Sequence, residues 1–163
     1  MTAANFPALI RRLATGGVEF IVIGGVAGAI HGSAHVTYHL DVLYRRTHDN
    51  IEMLAAALEP IQPYLRGVAP GLPFRLDPQT LERGLNFTLI TTEGDLDLLG
   101  EVAGGGTYEH VLPETEAAEI DHVEFRCISL RGLILLKRAA GRPKDINVIA
   151  ELETLLEERG RSE

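Results

Sequence analysis

The segment Val18–Ile23 constrains this chain most: it is apolar at every position but Glu19 and ends in the unbroken run Phe20-Ile21-Val22-Ile23. So short a run, rich in β-branched residues, reads as a strand covered on both faces, which places it inside a sheet with a layer on either side. It leads directly into Gly24-Gly25, and Val26–His31 then reads as a short helix closed by Gly32. A buried strand, a glycine turn and a helix in that order begin an α/β arrangement.

The rest of the chain extends this pattern. Before the strand, Phe6, Leu9, Ile10 and Leu13 recur at helical spacing within Asn5–Ala14, and Gly16-Gly17 ends the helix. After it, Val36–Arg45 is predicted as a strand from its β-branched and aromatic residues. Asp49 is placed to cap a helix running through Ala57 with Ile51, Leu54 and Leu58 on one face. Pro60–Pro78 is rich in proline and glycine and is predicted as loop, with a short helix over Asp77–Arg83. Strands follow at Asn86–Thr91 and Asp95–Leu99, joined by Thr92-Glu93-Gly94, and Gly104-Gly105-Gly106 marks a flexible loop. Val123–Ser129 is a last strand, Ser129 caps a helix over Leu130–Ala140, and Gly141 and Pro143 separate it from a final helix over Asp145–Arg159. The expected fold is α/β (α+β): a mixed β-sheet flanked by helices, with a helical C-terminus. At 163 residues, without internal repeats, the chain is expected to form a single domain over 1–163.

Composition removes several classes of function. No apolar run approaches the roughly 20 residues that span a bilayer, and Met1–Ala14 lacks the basic start and long apolar stretch of a secretory signal. A cytoplasmic location is expected. The single cysteine, Cys127, excludes an intramolecular disulfide framework and a zinc site built on cysteines. A net charge of −8 argues against general nucleic-acid binding. The charge is nevertheless segregated: ten carboxylates and no Lys or Arg lie between Glu93 and Glu124, and six basic residues and no carboxylate between Arg126 and Lys144. Two solvated faces would explain this, and so would a site that holds cations and a polyphosphate together.

Within that frame three groups of residues could do chemistry. Residues i and i+2 of a strand face the same way, so His39 and Asp41 project together, as do Asp95 and Asp97. Were the two strands neighbours, their carboxylates would repel unless a cation or proton were shared. Lys137 and Lys144, the only lysines in the chain, lie with Arg138 and Arg142 near the junction of the last two helices, placed to neutralise phosphate charge. Asp145 is expected to cap the final helix. His31, His35 and His39 recur every four residues, but Gly32 and Val36-Thr37 disfavour the continuous helix that would turn them into a zinc-binding face.

Taken in order, Ile23-Gly24-Gly25-Val26-Ala27, His31-Gly32-Ser33, Thr37-Tyr38-His39-Leu40-Asp41, Asp95-Leu96-Asp97-Leu98-Leu99-Gly100 and Lys137 followed by Arg142-Pro143-Lys144-Asp145 resemble the nucleotidyltransferase superfamily. The similarity is greatest to its small bacterial members of the AbiEii toxin type and covers roughly Val18 to Leu156. The resemblance implies a metal-dependent enzyme that moves NMP from an NTP to a hydroxyl or phosphate acceptor, which could be a tRNA, a protein or a small molecule. It implies phosphate contact at Gly24, Gly25 and Ser33, and triphosphate contact at Lys137 and Lys144. Catalysis is expected at Asp41, Asp97 and Lys137. Metal ligation is expected from His39, Asp41 and Asp97, with Mg²⁺ as cofactor and Mn²⁺ an option because imidazole suits it better. An antitoxin partner would accompany the toxin reading.

The chain departs from the family pattern at three places. His39 stands where the first aspartate of a D-x-D pair is usual, His35 where an arginine is common, and Val148 where the late motif ends in an acid. A degenerate domain that binds a nucleotide or partner without turnover is the alternative these departures raise.

Overall fold

In a computed structural model, which describes residues 4–163, seven strands form one mixed sheet in the order β3-β4-β5-β2-β1-β7-β6. The strands are β1 (Phe20–Ile23), β2 (His39–Tyr44), β3 (Tyr64–Leu65), β4 (Phe87–Thr91), β5 (Gly94–Leu99), β6 (Thr115–Ile120) and β7 (Val123–Ile128). The α-helices are α1 (Phe6–Thr15), α2 (Gly24–Ile30), α3 (His48–Leu58), α4 (Pro78–Arg83), α5 (Tyr108–Val111), α6 (Leu130–Ala140) and α7 (Ile146–Ser162). The expected mixed sheet flanked by helices is the fold observed.

All four residues of β1 are buried, as an unbroken apolar run requires when both faces of its strand are covered. The strand runs antiparallel to β2 and parallel to β7. Helix α3 packs against both α1 and α4, and α6 against both α2 and α7. Leu9, Ile10 and Leu13 of α1 are wholly buried, each removing apolar surface from water worth about 1.5–3 kcal/mol. Arg12 of the same helix clamps Glu93 in the β4–β5 turn through two hydrogen bonds of 2.7 and 3.1 Å. Among the described residues, no helix is long and apolar enough to cross a membrane.

The structure differs from the sequence expectation at several ends. The strand foreseen from Val36 begins at His39, because β1 ends at Ile23 opposite Asp41 and the pairing of β2 with β5 ends at His39 opposite Asp95. Val36 and Tyr38 are each 77% exposed as a result. Thr47, not Asp49, caps α3, its side chain accepting a 3.3 Å hydrogen bond from the Asn50 amide. Within the predicted Pro60–Pro78 loop, Tyr64–Leu65 pairs with β4 as the edge strand β3. Strand β6 has no counterpart in the prediction: its sequence TEAAEI has too few apolar residues to betray an alternation, and it forms because β7 offers a free edge. The β6–β7 turn takes Asp121 and His122 into positive φ (51° and 65°), the geometry a two-residue hairpin demands, here without glycine.

Candidate metal and nucleotide site

Strands β2 and β5 are adjacent and parallel, in a register that sets His39 opposite Asp95 and Asp41 opposite Asp97. The two same-face pairs foreseen in the sequence therefore meet. His39 Nε2 lies 3.2 Å from Asp41 Oδ1 and 3.4 Å from Asp97 Oδ2. One donor atom from each residue falls within 4.8 Å of the others. The carboxylates are largely covered, at 18% and 15% side-chain exposure, whereas His39 is 40% exposed. The hydrogen bond to Asp41 draws the His39 imidazole above its usual pKa despite partial burial. Burial raises the Asp97 carboxyl, reinforced by the charge of Asp41, although a hydrogen bond from Arg66 opposes the shift.

The glycine turn is shaped around this group. Gly24 has φ +66°, and a Cβ there would lie 2.1 Å from Asp41 Oδ2. A side chain at Gly24 and the observed Asp41 carboxylate cannot coexist. Gly25 supports the turn differently: a Cβ would lie 2.7 Å from Thr37 Oγ1, the hydroxyl that donates to the His39 carbonyl at 3.0 Å.

Gly24, His39, Asp41 and Asp97 open into a cavity of about 490 Å³, which Lys137, Arg142, Asn86 and Glu101 also line over an apolar floor that includes Leu133 and Leu136. That volume is within the usual range of small-molecule sites, about 300–1,000 Å³. A second cavity of about 490 Å³, between α3 and the 62–78 segment, contains none of the candidate residues. Lys137 Nζ lies 3.6 Å from Asp145 Oδ1, and Arg142 Nε donates to Asp145 Oδ2 at 2.8 Å. Asp145 thus occupies the position expected of the α7 cap, but its buried carboxylate holds the two cations and makes no cap hydrogen bond.

The remaining candidates lie elsewhere. Lys144 is exposed on the short turn between α6 and α7, outside the cavity lining. Ser33 is bonded through its hydroxyl to Glu151 of α7, which also accepts from the Ala34 amide and approaches His35 Nδ1, both at 3.0 Å. His31 is buried, its Nε2 2.7 Å from the Ile128 carbonyl and its Nδ1 3.1 Å from Arg159. The three histidines therefore occupy separate environments and share no helical face. Arg66, Asn86 and Glu101 are the residues that sequence reasoning missed. Arg66 donates to Asp97 Oδ1 and, at 3.0 Å, to the Leu89 carbonyl. No local pattern marks it, because only the long-range pairing of β3 with β4 carries it to Asp97.

Glu151 supplies a stability prediction. The Ser33 hydroxyl and Ala34 amide hold its carboxyl down at about 2, against an ordinary 4.5. A depressed carboxyl stabilises the fold above the unfolded value, and that contribution is lost as pH falls from about 4.5 to about 2. Glu151→Gln should therefore lower the melting temperature modestly near neutrality and flatten its decline over that acid range. Melting curves from pH 7 to pH 2 would check this, and parallel acid limbs in the two proteins would refute it.

The donor set fits a divalent ion. Adjacent ligands of an octahedral ion at about 2.1 Å are about 3 Å apart, close to the two His39–carboxylate separations given above. One nitrogen with two carboxylate oxygens suits Mn²⁺ better than Mg²⁺.

Comparison with known proteins defines the class. The fold matches the crystal structure of a Thermotoga maritima protein whose name assigns it to the nucleotidyltransferases, with a TM-score of 0.50 and 11% identity over 94% of this chain and 92% of the other. The fold is thus nucleotidyltransferase-like. The chain belongs to the family described as nucleotidyl transferase of unknown function (DUF2204), whose model matches residues 79–162 and so spans Asp97, Lys137 and Asp145. No curated protein matches the chain.

Proposed function

We propose that this protein is a metal-dependent nucleotidyltransferase that moves NMP from an NTP to a hydroxyl or phosphate acceptor. The observation that carries the reading is the register of β2 on β5, which sets Asp41 against Asp97 beside Gly24 in a cavity also lined by two cations. His39, Asp41 and Asp97 would hold the ion. When bound, it would neutralise phosphate oxygens and make the α-phosphorus more electrophilic. Gly24 leaves room for the Asp41 carboxylate to stand against the turn, where a side chain would displace it. Lys137 and Arg142, themselves fixed by Asp145, would receive the charge of the departing pyrophosphate. In the transfer, the acceptor oxygen bonds to the α-phosphorus, a hydroxyl acceptor giving up its proton to solvent, while the bond from that phosphorus to the bridging oxygen breaks and its electrons leave with pyrophosphate. Catalysis of this kind is positioning and charge neutralisation rather than covalent chemistry by the protein.

The test uses each of the four NTPs labelled at the α-phosphate, with Mn²⁺ or Mg²⁺ and pooled tRNA or cell protein as acceptor. Label transfer with pyrophosphate release supports the reading. Neither event with any NTP or either metal overturns it.

A second reading is favoured by the position of His39, whose Nε2 sits between both carboxylates: a module that binds a nucleotide or protein partner without turnover. It predicts NTP binding without pyrophosphate release. A toxin paired with an antitoxin, as the AbiEii-type resemblance implies, is compatible with either chemistry, and co-purification with the product of an adjacent small gene would test it.

A further inference from the structure

We infer that the site takes one divalent cation, not two, and that Arg66 provides the positive charge a second ion would otherwise bring. The inference rests on the nucleotidyl-transfer reading above and adds the stoichiometry of its metal centre. Two-metal sites hold their ions about 3.5–4 Å apart, which requires ligands that serve both ions. A carboxylate can do so because it has two oxygens, but a neutral imidazole nitrogen has one lone pair and serves a single ion. His39 therefore removes one bridging ligand.

Asp97 loses the same capacity for a different reason. Its Oδ2 faces His39, while its Oδ1 is taken by the Arg66 guanidinium. Arg66 is held in turn by the Leu89 carbonyl at 3.0 Å, and its Nε, buried without a hydrogen bond, lies 3.4 Å from Asp95 Oδ2. Asp41 offers Oδ1 towards His39, and its Oδ2 abuts Gly24. One donor atom each from His39, Asp41 and Asp97 lies within 4.8 Å of the others, so the three converge on one position.

Arg66 is a positioning residue in this account. It fixes which oxygen Asp97 presents and repels a cation from the other. Its removal should tighten binding of the single ion by about tenfold, the effect of deleting a like charge at close range in a partly solvated site.

The experiment is titration of the full chain with Mn²⁺, counting free ion by electron paramagnetic resonance. The spectrum is then recorded with the non-hydrolysable α,β-methylene ATP present to seek Mn–Mn spin coupling. Wild type should bind one Mn²⁺ with no spin-coupled pair, His39→Asp should bind two, and Arg66→Met should bind one about tenfold more tightly. Arg66→Lys, which keeps the charge, should retain wild-type affinity and guards against a folding defect in Arg66→Met. A spin-coupled pair in wild type, alongside label transfer, would overturn the inference and leave the enzyme reading intact. No Mn²⁺ bound and no label transferred would overturn both. Unchanged or weaker Mn²⁺ affinity in a folded Arg66→Met would overturn the role given to Arg66.

Discussion

Asp41→Asn should reduce pyrophosphate release by about a thousandfold or more, the scale expected when a principal electrostatic element of a polar active site is removed, while leaving the protein at least as stable as wild type. Asparagine keeps the shape of the side chain and loses its charge. Under the proposed function the loss matters because Asp41 supplies one of the three donor atoms of the group found among the described residues. It does not harm folding, because asparagine Oδ1 can still accept from His39, and the repulsion between Asp41 and Asp97, which helps raise the Asp97 carboxyl above its usual range, is relieved. A site built for a ligand keeps like charges together at some cost to stability, so relieving the repulsion should favour the fold. Pyrophosphate release and thermal melting on the same samples would check both halves. Full activity in the variant would remove Asp41 from the mechanism.

The second large effect is expected at Gly24. Gly24→Ala should destabilise the protein by about 1–3 kcal/mol and abolish metal-dependent nucleotide binding. Two costs add. A residue with a Cβ is strained at φ +66°, and that Cβ would sit 2.1 Å from Asp41 Oδ2, so either the turn or the carboxylate must move. Gly28→Ala is the control on the same short helix: its Cβ would meet nothing closer than the Ser33 Cβ at 3.5 Å, an ordinary contact, and replacing a helical glycine by alanine is neutral or stabilising by up to about 1 kcal/mol. Urea denaturation and nucleotide titration of both variants would separate the cases. Wild-type binding by Gly24→Ala would contradict the geometry argued for the turn.

Much of the site was legible because its parts are local and periodic. The alternation His39-Leu40-Asp41 and Asp95-Leu96-Asp97 places each pair on one face of its strand whatever the fold, and Phe20–Ile23 marks a central strand by composition alone. What the alternation cannot tell is which strands are neighbours, and the ordered resemblance to a known superfamily supplied that link. Arg66 stayed hidden because its partner Asp97 is 31 residues away and β3 is only two residues long. Asp145 was misread for a related reason. An aspartate before a helix commonly caps it, and only the fold reveals Lys137 and Arg142 converging on its carboxylate. Strand β6 escaped because an exposed edge strand needs no apolar face.

The most direct test of the account is calorimetric titration of each NTP into the wild type and into Asp41→Asn and His39→Asp, with Mn²⁺, with Mg²⁺ and with chelator. Wild type should bind at least one NTP only when a divalent ion is present, more tightly with Mn²⁺ than Mg²⁺; Asp41→Asn should lose this binding, and His39→Asp should shift the preference towards Mg²⁺. Equal NTP affinity in the presence of chelator, or undiminished binding by Asp41→Asn, would contradict the account.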